Sequence, residues 1–256
     1  MRYNLDYRFE LAFDHKVRAH HYALKIAPRP TPFYTIEAFQ TNANFATTVD
    51  GFGNTIYFGN IMESHTHFEF LTQATIRFDR AYFEADAVWD IYRHSSPLTP
   101  MSEAFVAWLS VLKSPTQLTP LVEYLKSAIF EGFGYQAGVT SAYCSIDTLL
   151  ENHQGVCQDF AHLMIAALRY YGIPARYVNG FVTGEGETHA WVEYHDGSVW
   201  LGVDPTHDIL ITHEPYIKLA HGRDALDTSV NKGIFVGNAQ QTMHIYAHME
   251  RLDEHT

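Results

Sequence analysis

Gly155-Val156-Cys157-Gln158-Asp159-Phe160-Ala161-His162-Leu163-Met164-Ile165-Ala166-Ala167-Leu168-Arg169-Tyr170-Tyr171 reads as one helix. Phe160, Leu163, Met164, Ala167, Leu168 and Tyr171 recur at the helical period and form a single apolar stripe. Gly172 supplies a left-handed stop and Pro174 prevents continuation. Cys157 falls in the first turn. Unpaired N–H groups and the helix dipole favour negative charge there. A thiol so placed has a larger thiolate fraction, and the thiolate is the nucleophile. The bland alternative is a small buried cysteine.

A nucleophilic cysteine needs a base, and the base needs a group that fixes its tautomer. Downstream, His189–Tyr194 and Ser198–Val203 read as strands joined by Asp196-Gly197, a strong hairpin signal. His189 opens one strand and Asp204 ends the other. Counting out from the turn with Tyr194 opposite Val199 places His189 near Asp204. Packing of the Cys157 helix on this sheet then supplies the third member.

Outward from this centre, Tyr3, Leu5, Tyr7, Phe9, Leu11 and Phe13 alternate with polar residues, the pattern of a half-buried strand. A second apolar run carries Tyr22, Leu24 and Ile26, and Asp50-Gly51-Phe52-Gly53-Asn54 is dense in turn residues. Residues 1–95 are expected to form a small antiparallel β-domain. His65 and His67 share a strand face without a third ligand, so no metal is expected there. Ser95–Pro100 reads as a linker. Ser102 is expected to cap one helix, Thr119-Pro120 to start another and Ser145 to cap a short third. Ala175–Thr183 and Thr242–Glu250 read as strands, and 205–232 as irregular. The fold class is α+β, with 101–256 as the second domain.

Composition excludes several functions. The chain has 256 residues and a net charge of −12. Nucleic acid and acidic membrane surfaces are therefore not expected partners. With only Cys144 and Cys157, no disulfide framework is possible and a cytoplasmic setting is expected. The start of the chain has no signal-peptide pattern. Most of the 16 histidines are expected to have no special role.

Gly155-Val156-Cys157-Gln158-Asp159-Phe160-Ala161-His162-Leu163, Gly172-Ile173-Pro174-Ala175-Arg176-Tyr177-Val178, His189-Ala190-Trp191-Val192-Glu193 and Asp204-Pro205-Thr206 together resemble the bacterial transglutaminase-like core. The likeness extends to Phe133-Gly134-Tyr135 and to His221-Gly222-Arg223-Asp224. The first domain is similar to the β-domain that often precedes this core. The resemblance implies a papain-like fold and a Cys-His-Asp triad. Cys157 would be the nucleophile, His189 the general base and acid, and Asp204 the orienting carboxylate. The backbone N–H of Cys157 is the expected first oxyanion donor. Gln158, Asp159 and Trp191 are candidate substrate-site residues, although Asp159 also suits a structural place in the first turn. Thr183–Thr188 is shorter than the family often has and leaves no long lid.

Three functions follow as expectations. One is a cysteine protease or amide hydrolase working through a thioester acyl-enzyme on a protein or peptide substrate. Another is a transglutaminase, in which a primary amine resolves the same thioester. The third is a catalytically silent binding module. No cofactor, metal or calcium is implied.

Overall fold

The computed structural model describes residues 1–42, 46–139 and 144–252. The first sheet is built on one long strand, β1 (Arg2–Leu24), with β2 (Tyr34–Thr41), β3 (Ala46–Val49), β4 (Thr55–Ile61) and β5 (His65–Phe78). The two apolar runs read from the sequence are thus one continuous strand. Its first half pairs with β5, and its second half with β4. Ala19, at φ 46°, sits between Val17, the last residue paired with β5, and His20, the first paired with β4.

The second half begins with α1 (Glu103–Ser110), α2 (Leu118–Gly132), β6 (Gly134–Tyr135), α3 (Ile146–Asn152), β7 (Gln154–Gly155) and α4 (Cys157–Tyr170). Ser102 caps α1 by accepting from Phe105 N–H. α2 starts at Leu118 with Gln117 as its cap, so Pro120 lies two positions deeper than expected. That position is still within the first turn, where no intrahelical N–H bond is lost. Ser145 precedes α3, but its side chain makes no capping bond. Gly172 takes φ +75° and ends α4 as its position predicts.

Then follow β8 (Ala175–Phe181), β9 (Gly184–Gly186), β10 (His189–His195), β11 (Trp200–Asp204), β12 (Ile209–Ile211), β13 (Ile217–Gly222), α5 (Ala225–Thr228), β14 (Asn231–Val236) and β15 (Gln241–Arg251). Five of these form an antiparallel sheet in the order β12-β11-β10-β8-β13. β13 lies in the segment expected to be irregular. Lys218 and His221 are buried beside Ile217, Leu219 and Ala220, so no polar–apolar alternation marks it.

The sheet carries a core on each face. Ala175, Tyr177, Ala190 and Val192 pack with the apolar stripe of α4. Val178, Trp191 and Ile217 pack with Tyr7, Phe9 and Phe70 of the first sheet. The two halves are therefore joined through a shared core. The division expected at the linker does not hold at the C-terminus, because β14 and β15 both pair with β1. The linker itself is packed down, with Ser96, Leu98 and Thr99 buried. Arg169 of α4 donates to Thr99 Oγ1 at 2.9 Å.

Two polar devices fix the halves together. The Asp50 carboxylate accepts from the backbone N–H groups of Phe52 and Asn54, both at 2.9 Å. This turn aims Asn54, whose amide exchanges hydrogen bonds with the backbone of His221 at 2.8 and 2.9 Å. The second device is a buried ion network. Arg176 donates to Glu84 at 2.7 Å and to Asp86 at 3.0 Å, and Lys218 donates to Glu84 at 3.0 Å and to Glu193 at 2.8 Å. Glu84 and Asp86 come from the segment after β5, so that segment neutralises cations of the second sheet.

Candidate active site

The Cys157 corner is built by its neighbours. The Asp159 carboxylate accepts from Val156 N–H at 2.8 Å and satisfies the chain as it enters α4. Asp159 is 2% exposed, so it shapes the corner and does not face a substrate. Gly155 makes room for it. A Cβ at that position would lie 2.8 Å from the Asp159 carboxylate and 2.9 Å from Leu149. Cys157 is half-buried at the head of α4, and neither cysteine is in a disulfide.

His189 starts β10 on the strand against which α4 packs. Its Nε2 lies 2.7 Å from Asp204 Oδ2, and the Cys157 thiol lies close enough on its other side to raise its pKa. With Nε2 on the carboxylate, Nδ1 is left for the thiol. The structure thus brings Cys157, His189 and Asp204 together. The hairpin differs in register from the count out of its turn. Tyr194 pairs with Leu201 rather than Val199. The last pair is Val192 with Val203, so His189 reaches Asp204 diagonally past the end of the ladder.

Burial of His189 alone would lower its pKa. The hydrogen bonds to Asp204 and Cys157, with their Coulombic attraction, outweigh that and push it up to about 10. Burial would likewise raise the Asp204 carboxyl. The hydrogen bonds from His189 and His207 instead hold it well below the usual carboxylate range. The arrangement favours an imidazolium beside the thiol at neutral pH.

Asp204 has further partners that sequence reasoning missed. His207 Nδ1 lies 2.6 Å from Oδ2 and the Tyr216 hydroxyl donates to it at 2.7 Å, while Thr206 N–H donates to Oδ1 at 2.8 Å. The Asp-Pro-Thr order was the available signal. An Asx turn folds the chain back on the carboxylate and returns His207 to it. Tyr216 carries no such local signal.

A cleft of about 430 Å³ opens over Cys157 and His189. Gln158 lines it, with Glu187 on one side and Met243 and Ile245 of β15 on another. Trp191 does not line it. It is fully buried behind His189, near-parallel to that ring with centroids 6.4 Å apart. Within the short Thr183–Thr188 segment, Gly184–Gly186 pairs as β9 with β15 and fixes the cleft's edge to the first sheet. His162 is buried and accepts from Ala225 N–H at 3.1 Å, a structural place.

The model of the transglutaminase-like superfamily matches residues 110–205, a span that holds Cys157, His189 and Asp204. Residues 110–205 belong to that superfamily. An uncharacterised Mycobacterium leprae protein is 39% identical over 46% of this chain and 45% of its own length. A protein-glutamine gamma-glutamyltransferase of Pseudomonas aeruginosa is 38% identical over 25% of this chain and 11% of its own. The chain thus spans under half the length of these curated relatives. A crystal structure of a candidate cysteine protease from Cytophaga hutchinsonii shares the fold nearly throughout. Its TM-score is 0.81 at 22% identity, covering 99% of this chain and 92% of that one.

Proposed function

We propose that this transglutaminase-like protein is a cysteine-dependent hydrolase of peptide or other amide bonds. The observation that carries the reading is His189 held between the Cys157 thiol and the buried Asp204 carboxylate. The Cys157 thiolate attacks the amide carbonyl, and its sulfur–carbon bond forms as the carbonyl oxygen takes up charge. The N–H of Cys157, at the head of α4, is placed to stabilise that oxyanion. Collapse breaks the carbon–nitrogen bond, and His189 gives its proton to the leaving amine. Water, losing a proton to His189, then attacks the thioester. The acid departs and the thiolate returns.

A second reading differs only in the acceptor. A primary amine in place of water would give a new amide, and the Pseudomonas relative is named a protein-glutamine gamma-glutamyltransferase. One experiment separates the two. Wild type and Cys157→Ala are incubated with a mixed protein extract and a tagged primary amine, and products are read by mass spectrometry. New peptide termini, or glutamine converted to glutamate, with the wild type alone support hydrolysis. Tag on glutamine supports transfer. Identical spectra from both proteins contradict action on ordinary proteins.

A further inference from the structure

We infer that His189, Asp204 and His207 form a binding site for a divalent transition ion, Zn²⁺ foremost, and that the bound ion disables the Cys157 centre. The three offer ligand atoms that all lie within 4.8 Å of one another. His189 Nε2 and His207 Nδ1 approach the same Asp204 oxygen at 2.7 and 2.6 Å. Two imidazoles and one carboxylate are a donor set suited to zinc, with a fourth position left for water. Tetrahedral zinc with bonds of about 2.1 Å spaces its ligand atoms by roughly 3.3 Å. Opening the two hydrogen bonds by about 0.6 and 0.7 Å therefore admits the ion.

Access and support are both present. The His207 side chain is 47% exposed, whereas those of His189 and Asp204 are 10% and 0% exposed, so the ion enters past His207. The Tyr216 hydroxyl and Thr206 N–H keep their bonds to the carboxylate and hold it in place. The cluster of Glu84, Glu193 and His221 offers no comparable site. There the Lys218 ammonium and the Arg176 guanidinium already sit on the carboxylates.

Binding moves protons in a definite way. The ion replaces the proton on His189 Nε2, which leaves to solvent, and His207 carries its remaining proton on Nε2. His189 keeps a proton on Nδ1, the nitrogen that faces Cys157. It then has no lone pair to take a proton from the thiol or from water. The inhibitory consequence rests on the hydrolase reading. The binding does not.

The test titrates Cys157→Ala with Co²⁺, a spectroscopic stand-in for zinc, and reads the visible absorption of tetrahedral cobalt. A tetrahedral spectrum that Zn²⁺ bleaches is expected. His207→Ala and His207→Gln on the same background should weaken binding at least tenfold. In the wild type, Zn²⁺ should abolish Cys157-dependent turnover of an amide substrate, a chelator should restore it, and His207→Ala should weaken the inhibition at least tenfold. No cobalt spectrum in Cys157→Ala, or one indifferent to His207, would overturn the site. The cobalt readouts need no turnover, so they stand even if no amide substrate is found.

Discussion

The indole N–H of Trp191 donates to the Tyr82 hydroxyl at 2.8 Å, and that hydroxyl in turn bonds the Glu193 carboxylate. Trp191 backs the ring of His189, while Tyr82 belongs to the segment that leaves the first sheet. The first half of the chain therefore forms part of the support behind His189. Tyr82→Phe leaves Trp191 and Glu193 each short of a buried partner. A stability loss of about 1–3 kcal/mol is expected from urea unfolding, with a fall in turnover beyond the loss of folded protein. Unchanged turnover per folded molecule would remove Tyr82 from the support of His189.

Gly180 marks a close approach in the same region. A Cβ there would lie 2.0 Å from the Ile217 carbonyl oxygen and 2.5 Å from the Trp191 ring. Backbone on one side cannot yield, so Gly180→Ala must move β13 or Trp191. A cost of about 3 kcal/mol is expected, visible as a lower urea midpoint. An unshifted midpoint would mean that the two strands separate freely.

Asp204→Asn keeps the size of the side chain but offers an amide to donors that need a carboxylate. His189 loses its orienting acceptor, and turnover should fall by about 10³–10⁴. Tyr216→Phe removes only one of the donors on Oδ2. Stability should drop by about 1 kcal/mol and turnover by less than tenfold. Steady-state kinetics with circular dichroism as the check on folding separates the two, and equal losses would contradict the division of labour.

Acid should unfold the protein early. His162 is fully buried, and burial, with the Arg169 charge adding to it, pushes its pKa down to about 3. In the unfolded chain it titrates near 6.5. Between those values the unfolded chain holds the extra proton. Stability is thus present at neutral pH and is lost as pH falls from about 6.5 toward 3. The slope from this one group approaches 1.4 kcal/mol per pH unit. Burial lowers His20 as well, with the neighbouring His65 and His21 adding to it, so its effect has the same sign. Urea midpoints at pH 7 and pH 5 check this, and equal midpoints would contradict it.

Much of this was legible in the residues. The stripe from Phe160 to Leu168, the Gly172 stop and the Asp196-Gly197 turn mark α4 and its hairpin through local chemistry alone. Alternation along Tyr3–Phe13 and Met243–Met249 marks two strands, but nothing in either says that they pair across most of the chain. β13 was hidden because its Lys218 and His221 are buried by partners remote in sequence. The same holds at the site. Cys157, His189 and Asp204 lie in recognisable local motifs, whereas Tyr216 reaches Asp204 only through the fold. His207 was within reach of an Asx-turn argument. The register of the hairpin was misjudged by the length of its turn, which pairing at His195 with Trp200 sets.

The most direct measurement is the rate of iodoacetamide labelling at pH 6, read residue by residue by mass spectrometry on wild type and His189→Ala. A protonated His189 beside Cys157 predicts that Cys157 labels far faster than Cys144 and that His189→Ala slows it at least tenfold. Equal, slow labelling of both cysteines, unchanged by the substitution, would contradict an activated thiol and with it the hydrolase.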